Sequence, residues 1–251
     1  MPATVERCRQ LIERGAAGQQ QLSVNAAKLV TLHRDPQLRE IASRSALVNA
    51  DGQAVVWASR ILGDPLPCRV AGIDLMAELL ALAEREGYSV FILGARAEAL
   101  ESAIARIRDR HPRLRIAGYH HGYFDDAGAE GDAIRAQIRS VEPDILFVAM
   151  SSPQKEYWLG EHGPRLGIPL LMGVGGSIDV IAGITRRAPM LWQKLGIEWL
   201  YRLLQEPRRM LRRYVVTNAI FVALVVRELV ARLPRRVTEQ RRRSAGTGSH
   251  A

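Results

Sequence analysis

Short apolar segments alternate with amphipathic segments from about residue 20 to residue 184. Segments such as SALVN (45–49) and DILFVAM (144–150) have the length of strands and no clear polar face. Between such segments the chain has stretches with helical spacing of apolar residues, as in 74–87. Strands without a polar face that alternate with helices are typical of a parallel sheet covered on both sides. The pattern therefore predicts an α/β fold, a Rossmann-like and mostly parallel sheet with helices on both faces.

The C-terminal part has a different pattern and is predicted to be a basic helical appendage. YVVTNAIFVALVVRELV (214–230) is apolar nearly all round, and RRMLRR and RLPRR lie on either side of it. No stretch of about 18 uninterrupted apolar residues occurs, so no transmembrane helix is predicted. We expect an α/β domain at 1–190, the appendage at 191–234 and a disordered tail at 235–251.

Charge is distributed unevenly along the chain, whose net charge is +9. Residues 185–251 contain 15 Arg/Lys and 4 Asp/Glu, a net charge of +11, whereas the preceding 184 residues contain 20 and 22, a net charge of −2. This asymmetry indicates an anionic partner for the C-terminal part, either nucleic acid or membrane phosphate. Basic stretches around an apolar helix favour an anionic membrane surface, and no nucleic-acid-binding module is recognisable.

Several functional classes are disfavoured by what the sequence lacks. The N-terminus has no signal-peptide pattern and there are two cysteines, so a reduced, cytoplasmic protein is expected. The chain has no complete G-x-G-x-x-G, which argues against a dinucleotide oxidoreductase, and no P-loop. It also has no D-x-D. No metal site is therefore predicted, and no cofactor.

Parallel sheets bind ligands beyond the carboxyl ends of their strands, and Asp51 lies at such a position. It follows a predicted strand in LVNADGQAVV (47–56) and precedes a glycine. An Asx-type turn explains an Asp-Gly pair here. A base that takes a proton from a substrate is the alternative explanation.

Other candidate residues follow later strands. Gly94, Gly175 and Gly176 lie at strand-to-helix turns, where backbone N–H groups can hold phosphate, although α/β folds need glycine at such turns in any case. Asp179 lies in a predicted first helical turn, where a carboxylate is favourable. Helix capping explains the serine and proline of SSPQKE (151–156), but it does not explain Gln154, Lys155 and Glu156 together.

An ordered set of stretches resembles the WecG/TagA/CpsF family of bacterial glycosyltransferases over roughly residues 20–215. The matching stretches are LSVNAAKLV, LVNADG, RVAGIDL, FILGA, GYHHGYF, SSPQKEYWL, MGVGGSIDVIAG, RRAP and GIEWLYRLLQEPRR. The resemblance implies an inverting transfer from a UDP-sugar to a polyprenyl-diphosphate-linked sugar. It also implies a peripheral location on the cytoplasmic face of the plasma membrane. The sugar that is transferred is left open, since N-acetylmannosamine, its uronic acid and glucose all occur in the family.

The resemblance also implies roles for individual residues. Asp51 matches the family's proposed catalytic base. Substrate-binding positions are matched by Ser23, Asn25, Arg69, Gln154, Lys155 and Glu156, and UDP-binding positions by Gly94, Gly175, Gly176 and Asp179. The family's P-K-Q-E is P-Q-K-E here, so its glutamine corresponds to Lys155 or has moved to Gln154. Arg202, Arg209 and Arg212 match basic appendage residues that contact the diphosphate or the membrane.

Three functions follow from these features as alternatives. The first is a UDP-sugar-dependent hexosyltransferase of cell-surface polysaccharide synthesis, with Asp51 as base and arginine and helix N-termini in place of a metal. The second is a non-catalytic nucleotide-binding protein held at the membrane. The third is a nucleic-acid binder that uses the basic C-terminal part.

Overall fold

A computed structural model describes residues 1–194, 196–205 and 215–232 of the chain, and only the backbone of Lys194 and Arg202. The predicted tail at 235–251 lies outside the described residues. The boundary between an α/β domain and an appendage therefore stays a prediction.

The described residues form one six-stranded sheet in which every neighbouring pair of strands is parallel. The strands are β1 (Gln19–Val24), β2 (Leu47–Ala50), β3 (Ser89–Gly94), β4 (Arg115–His120), β5 (Ile145–Ala149) and β6 (Leu170–Gly173). Their order across the sheet is β2-β1-β6-β5-β3-β4. All carboxyl ends therefore meet at one edge.

Helices connect the strands and cover both faces. They are α1 (Pro2–Glu13), α2 (Ala26–Arg34), α3 (Pro36–Arg44), α4 (Gln53–Leu62), α5 (Gly72–Glu86), α6 (Ala97–Arg110), α7 (Ala129–Val141), α8 (Gln154–Leu166), α9 (Ser177–Ile181), α10 (Met190–Lys194) and α11 (Glu198–Gln205). Residues 215–232 form a further helix, α12. Helices α1, α5, α6 and α9 pack on one face, and α7 and α8 pack on the other, where α3 contacts α8.

Successive residues of the central strands supply two separate cores. In β5, Ile145 and Phe147 point to the α5 and α6 side, whereas Leu146 and Val148 point to the α7 and α8 side. All four are fully buried, and each such side chain contributes about 1.5–3 kcal/mol through burial. Burial on both faces is why the strand sequences lack a polar alternation.

Helix α12 packs on α2 and α4. Phe221 is buried against Val30 of α2 and Ala58 of α4, and Arg232 forms an ion pair with Asp64, which follows α4. These two contacts hold α12 near the side of the sheet formed by β2 and β1. No helix among the described residues is both long enough and apolar enough to cross a membrane.

The predicted α/β class and parallel sheet are confirmed, with differences at helix ends. Helices α2 and α4 were not predicted, because each begins directly after a strand and is short. Helix α5 begins at Gly72 with Ala71 as its N-cap residue, two residues before the start predicted at 74, and Asp74 lies in the first turn. Ser152 does not cap α8, and its hydroxyl donates to Glu156 instead.

Candidate functional site

The strand order indicates a ligand-binding crevice at the carboxyl edge of the sheet, between the neighbouring strands β1 and β6. Helix α9, after β6, packs on α6, whereas α2, after β1, packs with α3 on the opposite face. Loops that leave adjacent parallel strands toward opposite faces leave a space between them, and α/β proteins bind ligands there. Asn25 follows β1, Asp51 follows β2 and the GVGG loop (173–176) begins at the end of β6.

Asp51 is held at the edge by two backbone contacts. Its own N–H donates to Val24 O at 2.9 Å, and its Oδ1 accepts from Gly72 N, the first residue of α5, at 2.8 Å. Within the described part of the chain no donor reaches Oδ2. The side chain is partly exposed. The carboxylate therefore bonds to a distant helix N-terminus rather than closing its own turn, and one oxygen is left for a ligand.

Ser23 lies in a polar network beneath Asp51. Its hydroxyl accepts from Gln21 Nε2 at 3.1 Å and lies 3.5 Å from Asn49 Oδ1. Asn49 in turn donates to Val70 O at 2.7 Å, which ties the segment before α5 to β2. Asn25, by contrast, caps α2, because its Oδ1 accepts from the N–H of Lys28 at 3.0 Å. Asn25, for which a substrate-binding role is predicted, therefore already has a structural role as the N-cap of α2.

Lys155 and Glu156 lie in the first turn of α8 and form a buried ion cluster with Lys28 of α2. Glu156 Oε1 accepts from Lys28 Nζ at 2.6 Å and lies 3.0 Å from Lys155 Nζ. Its Oε2 accepts from the Ser152 hydroxyl at 2.9 Å. The three charged side chains are each at most 9% exposed. Two ammonium groups therefore share one carboxylate at the carboxyl edge of the sheet.

Burial and neighbouring charge shift the pKa values in this cluster in defined directions. Desolvation lowers the pKa of the Lys155 ammonium and Lys28 lowers it further, against the opposing effects of Glu156 and Asp51. Desolvation alone raises the pKa of the Glu156 carboxyl, but Lys28 and Lys155 outweigh it and hold this pKa below its usual value.

The candidate glycines have packing requirements of their own. Gly94 has φ +123°, and a Cβ there would lie 2.5 Å from the carbonyl carbon of Ala149. A Cβ on Gly173 would lie 2.9 Å from the Lys155 chain, and one on Gly175 would lie 3.7 Å from Lys155 Nζ. Close packing therefore explains Gly94 and Gly173, whereas the φ of +52° favours glycine at position 175. The Lys155 ammonium lies beneath the GVGG loop.

The remaining predicted UDP-binding residues lie at the end of that loop and in the helix that follows it. Gly176 precedes α9, and Asp179 lies in its first turn, as predicted. Hydrogen bonding to Tyr123 raises the pKa of Arg96, a residue that the sequence analysis missed, and the charge of Asp179 raises this pKa further. Arg96 is an exposed cation directly after β3, and its position after the Gly94 turn is the signal that could have identified it.

Gln154 lies apart from Lys155 and Glu156 in the structure, although the three residues are consecutive in the sequence. It is exposed, and its Oε1 accepts from the Ser151 hydroxyl at 3.1 Å. It lines a cavity of about 330 Å³ whose lining includes neither Lys155 nor Glu156. Lys155 thus occupies the place at the crevice, whereas Gln154 faces the cavity beside the 122–126 loop.

Arg69 lies in an ion-pair network with the C-terminal part. Its Nη1 and Nη2 lie 3.0 and 3.5 Å from the two carboxylate oxygens of Glu198 at the start of α11. Arg187 lies 3.8 Å from the same carboxylate and binds Asp74 through both terminal nitrogens, at 2.6 and 2.8 Å. Hydrogen bonding to Asp74 raises the pKa of Arg187. The network joins both arginines to the start of α11, and the Val70 N–H, which donates to Ala50 O at 2.8 Å, brings the backbone of Arg69 near that of Asp51.

The predicted appendage arginines are the part of the site that the structure describes least. Arg202 lies in α11, with only its backbone described, and Arg209 and Arg212 lie outside the described residues. Arg187 and Lys28 were missed by sequence reasoning. Arg187 lies in the RRAP stretch, whose arginines gave no signal of their own, and Lys28 lies on the unpredicted helix α2.

No group of three or more His, Cys, Asp or Glu side chains arranged to hold a metal ion occurs in 1–194, 196–205 and 215–232. In the acidic 125–126 loop, Asp126 accepts from Trp158 Nε1 at 2.9 Å and from Arg135 at 2.6 Å. Asp125 accepts from Ala127 N at 3.2 Å. These contacts give both carboxylates a role in shaping the loop.

Comparison with known proteins gives one family. The sequence profile of the glycosyl transferase WecG/TagA/CpsF family matches residues 1–235. Proteins of Staphylococcus aureus strains MW2 and NCTC 8325, named N-acetylglucosaminyldiphosphoundecaprenol N-acetyl-beta-D-mannosaminyltransferase, are 39% identical over 170 residues. The match covers 68% of this chain and 65% of each relative. A solved substrate-binding periplasmic protein of Ralstonia solanacearum aligns with 71% of this chain and 52% of its own, at 16% identity and a TM-score of 0.29.

Proposed function

The chain belongs to the WecG/TagA/CpsF family of glycosyl transferases, and from this membership we propose that it transfers a sugar from a UDP-sugar to a polyprenyl-diphosphate-linked acceptor saccharide. The donor is of the N-acetylmannosamine type or a related hexose, and the product enters cell-surface polysaccharide synthesis. The names of the relatives support the acceptor, since they specify an N-acetylglucosaminyldiphosphoundecaprenol.

The observation that carries the proposal is the placement of Asp51. Its Oδ1 is fixed by the Gly72 N–H, and its Oδ2 is the oxygen that takes the proton of the acceptor hydroxyl. The acceptor oxygen then bonds to the anomeric carbon from the side opposite UDP. The bond from that carbon to the diphosphate breaks, and its electron pair leaves with UDP, so the configuration inverts. Cationic groups near Asp51, Arg69 among them, offset the charge that develops on UDP.

A donor screen tests this proposal. The full-length protein is incubated with synthetic polyprenyl-diphosphate-GlcNAc and a panel of UDP-sugars, and UDP release and the disaccharide product are measured. We expect turnover with at least one donor, and NMR of the product gives its anomeric configuration. Binding of UDP-sugars without turnover of any donor would contradict the proposal and favour the non-catalytic nucleotide-binding alternative.

We expect the reaction to be independent of divalent metal. The sequence has no D-x-D, and the positive side chains near Asp51 can offset the charge of the departing diphosphate. Turnover in excess EDTA should therefore equal turnover without it. Loss of turnover in EDTA that is restored by Mg²⁺ or Mn²⁺ would contradict this expectation and direct attention to Asp125 and Asp126.

We further propose that α12 binds an anionic membrane surface. It buries Phe221 against α2 and α4 but leaves Val222, Val226 and Val230 more than half exposed on one side. Exposed valines beside basic stretches suit a headgroup boundary, where apolar side chains insert and each cation near the surface contributes about 1 kcal/mol. This location brings the site to a lipid-linked acceptor.

Flotation with anionic vesicles tests the membrane proposal. Replacing Val222, Val226 and Val230 by serine should weaken binding by on the order of 100-fold, from about 1 kcal/mol for each valine. The matched control is Val141→Ser, an exposed valine at the end of α7. Equal flotation of the triple variant and the control would contradict the proposal. If the wild-type protein does not float with the vesicles but binds duplex DNA, the nucleic-acid alternative is supported.

A further inference from the structure

The segment before α5 forms neither helix nor strand, and three hydrogen bonds hold it against the end of β2. In the first, Val70 N donates to Ala50 O at 2.8 Å. In the second, Gly72 N donates to Asp51 Oδ1 at 2.8 Å. In the third, Asn49 Nδ2 donates to Val70 O at 2.7 Å. Two side chains thus take part, Asp51 and Asn49, and only Asp51 has a role in the proposed reaction.

The amide of Asn49 has one orientation that satisfies its neighbours. A backbone carbonyl only accepts, so the atom that meets Val70 O must be the amide nitrogen. The Asn49 oxygen then faces β1, where Ser23 is its register partner and Gln21 Nε2 donates to it. Gln21 Nε2 also donates to Ser23 Oγ at 3.1 Å. Turning the Gln21 amide over would bring two oxygens together, so each amide fixes the orientation of the other.

Gln21 is a poor choice for the stability of β1. It is 1% exposed, and among the described residues no donor reaches its Oε1. A buried acceptor without a partner destabilises a fold, and an apolar side chain would avoid that cost. Its register partners on either side, Leu47 and Met172, are apolar. The donation to Asn49 is therefore the feature that explains a glutamine at this position.

We propose that Gln21 and Asn49 are positioning residues for the carboxylate that takes the proton. Gln21 fixes the orientation of the Asn49 amide, and this amide holds the segment before α5. The Gly72 N–H is thereby kept at Asp51 Oδ1. The backbone of Arg69 belongs to the same segment, so its position depends on the same contact. The contacts stand on the structure alone, and the consequence for turnover rests on the proposed function.

Hydrogen exchange tests these contacts without any assay of activity. The amides of Val70 and Gly72 report on the segment, because both donate to the end of β2. In Asn49→Asp the side chain keeps its size but offers only oxygens to Val70 O. Exchange of both amides, measured by NMR, should become about tenfold faster. Unchanged exchange in this variant would overturn the inference.

Two controls separate local loosening from general destabilisation. The Val174 amide donates to Val148 O at 2.9 Å at the same edge of the sheet, and its exchange should not change. Gln19→Glu removes a side-chain amide that donates to Ala17 O at 3.4 Å, at the amino end of β1. This variant should leave the segment before α5 as it is in the wild-type protein. Equally faster exchange at Val174 in Asn49→Asp would assign the effect to lost stability and overturn the inference.

Gln21→Leu tests the role of Gln21 separately. Leucine removes the buried oxygen that has no donor, so Tm should change little. The Asn49 amide loses the contact that orients it, so exchange of Val70 and Gly72 should still become faster. Exchange as in the wild-type protein would overturn the role of Gln21. If Asn49→Asp does not fold, Asn49→Ala, which removes the amide without adding a charge, takes its place with the same expected and contradicting results.

Turnover distinguishes positioning of Asp51 from a general structural role. Asn49→Asp should lower kcat by about 10- to 100-fold, because a small displacement of a reacting group is costly. In an Asp51→Asn background the base is already gone, so the same change should cost little more. Equal proportional losses in the two backgrounds would overturn the positioning role.

The outcomes separate the inference from the proposed function. Turnover by the wild-type protein with unchanged exchange in Asn49→Asp overturns the inference and leaves the function standing. Faster exchange at Val70 and Gly72, without turnover of any donor by the wild-type protein, supports the contacts and removes the function. Faster exchange together with a kcat loss that disappears in the Asp51→Asn background supports both.

Discussion

Replacing Asp51 by asparagine is expected to lower turnover by about 100- to 10,000-fold. Asparagine can still accept the Gly72 N–H through its Oδ1, so the start of α5 keeps its hydrogen bond. It cannot take a proton at neutral pH. The variant should therefore fold and bind the UDP-sugar with little change in affinity, and the loss should appear in kcat.

Asp144→Asn is the matched control for this substitution. Asp144 also accepts from a backbone amide, that of Ser89, at 2.7 Å, but it lies at the amino end of β5 on the opposite edge of the sheet. Its replacement should leave turnover unchanged. Preserved turnover in a folded Asp51→Asn protein would contradict the base role. Glu156 would be a poor replacement, because it is 1% exposed and both its oxygens are hydrogen-bonded.

The sheet could be predicted from the sequence because its strands are buried on both faces. Residues 145–149 are apolar at every position, and only a doubly covered strand needs that. Asp51 and the GVGG loop each follow a strand. Because all the strands are parallel, this was enough to place both at the same edge of the sheet. The local pattern could not decide between a turn residue and a ligand at Asp51. The hydrogen-bond partner that the structure gives Asp51, Gly72, is 21 residues away and therefore outside any local pattern.

The charge pairs of the site could not be predicted, because they join distant parts of the chain. Lys28 and Glu156 are 128 positions apart, and Arg69 and Glu198 are 129 apart. A lysine on a short amphipathic stretch has the sequence signature of a solvated residue. Lys28 is buried because its ammonium binds Glu156 in the first turn of α8, far along the chain. The roles predicted for Ser23, Asn25 and Gln154 stay predictions, and Asn25 and Gln154 have contacts that account for them locally.

Arg69→Ala is expected to lower kcat/KM for the UDP-sugar by about 100-fold, since loss of one donor to a developing anion costs 100- to 1,000-fold in comparable sites. Arg69 is placed beside Asp51 by the segment before α5, because Val70 N donates to Ala50 O at 2.8 Å. Its guanidinium group matches a diphosphate in planar, two-point geometry. Inhibition by UDP should weaken in the variant, whereas inhibition by uridine, which has no diphosphate, should not.

Glu198→Gln separates this role from a structural one, because Arg69 also anchors α11 through that carboxylate. If Arg69 served only as an anchor, both variants would break the same ion pair and lose activity equally. If Arg69 binds the departing diphosphate, Glu198→Gln should keep turnover near that of the wild-type protein and bind UDP at least as tightly, because a competing carboxylate is gone. Equal losses in the two variants, with UDP inhibition unchanged in Arg69→Ala, would assign Arg69 to holding α11 in place and leave the diphosphate to Arg187 and the GVGG loop.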